Sequence, residues 1–138
     1  HFAKTIYACF LMLNELKRMY LNEITGQCYF VATCDLVYEL KATFDKSTAL
    51  SENDVINKYK TCHLLLLDDF GTTIPSEWMY QVIYTIINYR YEQLLPTIFT
   101  SNLDLNALSE FFKDGRIPSR IERMGKVVKK TNYKNKQA

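Results

Sequence analysis

"HLLLLDDFGTTIPSEW", residues 63–78, runs from four consecutive leucines straight into two adjacent carboxylates, Asp68 and Asp69. An apolar run without alternation is the pattern of a strand covered on both faces, as in the middle of a parallel sheet. Pro75 and Ser76 then open a helix in which Met79, Val82, Ile83, Ile86 and Ile87 recur as a buried stripe. In parallel α/β sheets, ligands gather outside the carboxyl ends of the strands. Two acids at such an end are either a cation-and-water site or structural carboxylates that cap the next turn.

The flanks extend the alternation of helix and strand. Residues 2–20 place Phe2, Ile6, Cys9, Phe10, Leu13, Leu16 and Tyr20 at helical spacing, which predicts one apolar face. "QCYFVAT" reads as a buried strand after Gly26, and "CDLVYELKATF" as a helix with Leu36, Val37, Leu40 and Phe44 on one side. Residues 45–60 are polar, and Ser51 with Asp54 forms a weak helix cap. "TIFTS" follows Pro96 as a short strand, and Asp104 caps a helix over "LNALSEFF". "RIPSRIERM" predicts a short helix and "KVVKK" a last strand. The sum is one α/β domain around a parallel sheet with both faces covered, without repeats or an interdomain linker.

Composition narrows the class. With 138 residues, 48% hydrophobic and 23% charged, the chain suits one globular domain with a real core. No apolar run approaches the ~18–20 residues needed to cross a bilayer. Lys4, Asn14, Glu15, Lys17 and Arg18 interrupt the first segment, which rules against a signal peptide. Cys9, Cys28, Cys34 and Cys62 show no C-x-x-C pairing and sit among apolar residues, so they read as reduced core thiols of a cytoplasmic protein. His63, at the start of a buried strand, reads as a structural hydrogen-bonding group. Trp78, Tyr80, Tyr84, Tyr89 and Tyr91 read as core and helix surface, because Arg90 is the only basic residue on that helix.

Charge is uneven. Residues 1–112 carry eight basic and thirteen acidic side chains, whereas residues 113–138 carry nine basic and two acidic ones. The C-terminal part therefore suits a phosphate-bearing partner.

Beyond these patterns, the order of motifs resembles AAA+ ATPases of the helicase-loader group, the DnaC/DnaI-type loaders and the IstB-type ATP-binding subunits of insertion sequences. "LLLLDDFG" is similar to their Walker B segment, and "PSEWMYQVIYTIINYRYEQLLPTIFTSNLDL" continues through a helix into the sensor-1 strand. "GRIPSRIERM" resembles the segment that bears an arginine finger, and "YFVATCDLVYELKATF" the strand and helix before Walker B. The resemblance implies a three-layer P-loop NTPase core over residues 1–130 and a basic tail over 131–138.

It also implies roles. Asp68 resembles the Mg²⁺-associated acid, and Asp69 stands where most AAA+ enzymes have a catalytic glutamate. Asn102 resembles sensor 1, which orients the attacking water. Arg120 best matches the arginine finger, with Arg116 and Arg123 as interface alternatives. Tyr133-Lys134 stands in for a late Tyr-Arg pair, which would bring Lys134 to the nucleotide. ATP and Mg²⁺ are the implied cofactors. The implied partners are a replicative helicase or a transposase, single-stranded DNA and further copies of the chain; no membrane is implied.

One departure stands out. A phosphate cradle needs G-x-x-x-x-G-K-[ST], and Gly26, Gly71, Gly115 and Gly125 do not supply it. The chain starts at His1 rather than Met, so the expectation is that the first strand and phosphate loop precede it. Two other readings stay open. One is a nucleotide-independent AAA+ remnant that binds DNA or protein through the basic end. The other is a phospho-receiver, disfavoured because its acid pair belongs on the first strand.

Overall fold

The structure, a computed structural model, describes residues 2–129. Its elements are α1 (Phe2–Leu21), β1 (Cys28–Ala32), α2 (Thr33–Ala42), α3 (Glu52–Thr61), β2 (Leu64–Phe70), α4 (Glu77–Glu92), β3 (Thr97–Ser101), α5 (Leu105–Phe112) and α6 (Arg116–Met124). The three strands form one parallel sheet in the order β1-β2-β3. Each strand-to-strand connection contains a helix, as parallel pairing requires. β2 is central, and Leu64, Leu65, Leu66 and Leu67 are buried on both faces.

Local chemistry explains the elements. Ser51 and Asp54 form a complete capping box, so the polar stretch yields a true helix, α3, with Val55 and Tyr59 buried. Ser76 and Asp104 accept backbone N–H bonds from Met79 and Ala107 and so start α4 and α5. The predicted stripe of α4 is buried, and Arg90 continues it at the same helical spacing, fully enclosed. Gly71 turns the chain out of β2 at φ 84°, and a Cβ there would lie 2.6 Å from Leu108.

Three expectations need correction. The face of α1 that lies on the sheet is Thr5, Ala8, Met12, Glu15 and Met19, whereas Phe10 and Tyr20 are 57% and 84% exposed. The apolar periodicity is real, but the helix rests on β2 and β3 through Ala8, two methionines and polar side chains rather than through its aromatic and leucine stripe. Residues 126–129 of the predicted last strand are not in a strand; Lys130 lies outside the described residues. The cysteines are free, yet only Cys62 is buried and Cys34 is exposed.

Candidate functional site

The acid pair lies where β2 becomes irregular. Leu67 pairs with Phe99 and Phe70 with Ser101, so β2 spends one more residue than β3 over this interval. That extra residue makes a bulge at Asp68 and Asp69. Asp69 adopts φ 56°, a left-handed conformation that aspartate tolerates better than most residues. The bulge re-aims both carboxylates at the end of the sheet.

Thr100, opposite the bulge on β3, ties the two acids together. Its hydroxyl donates to Asp68 Oδ1 at 2.5 Å and accepts the Asp69 backbone N–H at 3.0 Å. Thr5 of α1 donates to Asp68 Oδ1 at 3.0 Å, and Thr33 at the start of α2 donates to the Asp68 carbonyl at 3.0 Å. Among the described residues, the buried Asp68 carboxylate is hydrogen-bonded by hydroxyls alone. Burial, then the charge of Asp68, raises the Asp69 carboxyl above its ordinary range, and Lys4 opposes both.

Asn102 follows β3 directly and is exposed. Lys4 Nζ donates to its Oδ1 and, at 2.9 Å, to the Ser101 carbonyl. Lys4 and Thr5, in the first turns of α1, thus reach Asn102 and Asp68 side by side. The sequence reading missed both. The signal was a short polar pair in the first turns of the helix, ahead of its apolar run, which reads as a solvent face until the sheet is placed against it.

Arg120 does not join this cluster within the chain. Its Nε donates to Asn88 Oδ1 at 3.0 Å, and its guanidinium stacks over Tyr91 at 5.1 Å. Arg116 pairs with Asp114 at 2.8 Å and stacks on Tyr84 at 4.8 Å, while Arg123 is exposed. Tyr80, Tyr84 and Tyr91 of α4 thus receive cations from α6, which the composition of α4 alone did not reveal. Lys134 lies outside the described residues.

Among the described residues no cluster of three or more His, Cys, Asp or Glu side chains exists to cage a metal ion. Two neighbouring carboxylates suit Mg²⁺ nonetheless, since that ion takes one or two carboxylates and completes its shell with water and phosphate. No helix among the described residues is long and apolar enough to cross a membrane.

With this geometry in place, comparison with known proteins is decisive. The family profile described as "IstB-like ATP binding protein" matches residues 4–135. The chain belongs to this family. It is 34% identical over 95 residues to the replicative helicase loader DnaI of Bacillus subtilis (strain 168), covering 66% of the chain and 30% of that protein. It superposes on the crystal structure of the DnaC helicase loader with a TM-score of 0.64 at 29% identity, covering 84% of the chain and 67% of the loader. The AMPPCP-bound structure of DnaA from Aquifex aeolicus gives a TM-score of 0.60 at 25% identity, covering 79% of the chain and 31% of that protein. The α/β architecture is that of the P-loop AAA+ proteins. The chain spans about a third of the length of the curated relatives it matches.

Proposed function

We propose that these residues supply the hydrolytic half of an ATPase site in a replicative helicase loader. The observation that carries the reading is the convergence of Asp68, Asp69 and Asn102 at the carboxyl ends of two paired parallel strands. Membership of an ATP-binding family and similarity to helicase loaders support it.

In this reading Asp68 holds Mg²⁺, with Thr5 and Thr100 keeping its carboxylate oriented. When bound, Mg²⁺ neutralises charge on the phosphates. Asp69 orients the attacking water and accepts its proton, a task helped by a carboxyl pKa above the ordinary range. Asn102 donates to the water or the terminal phosphate. Arg120 leaves its perch on Asn88 and Tyr91 to stabilise charge on nucleotide held by a neighbouring copy. Lys134 contacts the same nucleotide, and the basic C-terminal residues meet single-stranded DNA phosphates. The partner is a replicative helicase, and the site of action is the cytoplasm.

The test is ATP turnover and helicase loading by the full encoded product, flanking sequence included. Asp69→Ala and Arg120→Ala are each expected to reduce turnover by about 100-fold or more. Near-normal hydrolysis in both variants would sink the assignment. A second reading, a transposition ATPase, is favoured by the IstB-like family match. Association with a transposase and not with a replicative helicase would decide for it. DNA affinity that is salt-sensitive and indifferent to ATP would instead mark an interaction module.

A further inference from the structure

The peptide unit that joins Asp68 to Asp69 is gripped from both sides of β2. Its carbonyl accepts the hydroxyl of Thr33, just past the end of β1, at 3.0 Å. Its N–H donates to the hydroxyl of Thr100 on β3, also at 3.0 Å. The orientation of this one peptide plane sets ψ of Asp68 and φ of Asp69, and so the direction in which the second carboxylate leaves the bulge. Asp69 holds φ 56°, a conformation that a residue with a Cβ keeps only when its surroundings impose it.

We propose that Thr33 and Thr100 are positioning residues that clamp this peptide and thereby aim Asp69. A hydroxyl has one proton, and that of Thr100 is committed to the Asp68 carboxylate, which only accepts. Toward the backbone, Thr100 is therefore an acceptor, which selects the N–H and rejects a flipped carbonyl. Thr33 supplies the matching donor on the opposite side. It is the first residue of α2, whose start carries no side-chain cap, and its hydroxyl crosses to β2 instead. Without these two bonds the peptide can rotate toward the extended backbone that aspartate ordinarily adopts in a strand, and the Asp69 carboxylate turns with it.

The catalytic part of this inference rests on the ATPase reading, whereas the clamp itself does not. The turnover arm uses the full encoded product. Thr33→Val keeps the shape of the side chain and removes its hydroxyl. It is expected to lower kcat by about 10- to 100-fold at unchanged KM for ATP, because a reacting group is misaimed while nucleotide contacts persist. Thr33→Ser is expected to restore most of the rate. In an Asp69→Ala background, Thr33→Val is expected to cost nothing further. A rise in KM with kcat intact, or a loss that adds to that of Asp69→Ala, would overturn the positioning role. The second arm follows the Asp69 backbone amide by NMR in protein labelled at aspartate, without nucleotide. In Thr33→Val its hydrogen exchange is expected to quicken and its HN–Hα coupling, which reports φ, to move toward the extended value. Thr33→Ser is expected to return both. If wild type hydrolyses no ATP while this pattern holds, the ATPase reading fails and the clamp stands. An Asp69 amide unmoved by Thr33→Val would overturn the clamp itself.

Discussion

The two ends of the sheet bury opposite charges and treat them differently. At the amino ends of β2 and β3, Arg90 is fully enclosed, and all three guanidinium nitrogens are occupied. Nε donates to Thr97 Oγ1 at 2.8 Å, Nη1 to the Tyr59 and Cys62 carbonyls at 3.0 and 2.7 Å, and Nη2 to the Pro96 carbonyl at 2.7 Å. At the carboxyl ends, Asp68 is buried against two hydroxyls, next to a second carboxylate on a bulged, left-handed residue. Burial lowers the pKa of Arg90, yet its hydrogen bonds are saturated and its surroundings regular. Saturation makes a structural tie. Spare acceptor capacity beside a second charge, on strained backbone, is what a ligand can use.

The largest expected effect breaks the saturated end. Arg90→Ala strands the Cys62 carbonyl, takes a donor from those of Tyr59 and Pro96, and opens a cavity, and should cost about 3–5 kcal/mol in chemical denaturation. Arg90→Lys should fall between, since an ammonium has three donors where guanidinium has five. A loss below about 1 kcal/mol for the alanine variant would mean that water replaces the guanidinium, and the contrast between the ends would fail.

The open end should respond more gently in stability and more sharply in chemistry. Thr100→Val keeps the shape of the side chain but removes the hydroxyl that serves both Asp68 and the Asp69 N–H. We expect a loss of about 1–3 kcal/mol, with Thr100→Ser close to wild type. If valine is neutral, the threonine does not hold the acid pair.

Much of this contrast was legible beforehand, and the parts that were not share a cause. The four leucines predicted a central strand because continuous apolarity needs cover on both faces, and β2 is that strand. The position of Asp68 and Asp69 at its end followed at once. The bulge did not, because it depends on how β2 pairs with β3. Arg90 was visible only as the lone basic residue of its helix. Its place after Met79, Ile83 and Ile86 on one stripe was the neglected sign that it is buried. The apolar pattern of α1 misled most, since periodicity locates an apolar face but not which neighbour receives it.

A third expectation concerns the arginine assigned to a neighbouring nucleotide. Arg120 is half-buried on Asn88 and Tyr91, contacts worth little on a wet surface. Arg120→Ala should therefore change stability by less than about 1 kcal/mol, even where it abolishes turnover. A larger loss by thermal denaturation would make Arg120 a strut between α6 and α4, and the finger role would pass to exposed Arg116 or Arg123.

The smallest effect lies between the two ends, where α1 crosses the sheet. Glu15 accepts from Arg18 Nη2 at 2.7 Å and from His63 Nε2 at 2.9 Å, at the start of β2. The bond from Arg18, then that from His63, lowers the Glu15 carboxyl to about 2. An unfolded glutamate titrates near ~4.3, so this group's stabilisation is fully present above that value. It is lost as pH falls from there toward 2, because the unfolded chain takes up the proton first. Glu15→Gln should flatten the acid limb of the stability profile in that window and leave the neutral limb parallel to wild type. An unchanged acid limb would show that neither Arg18 nor His63 holds the Glu15 carboxylate in the folded chain, leaving α1 tied to the sheet by its packing and by Lys4 and Thr5 at the open end.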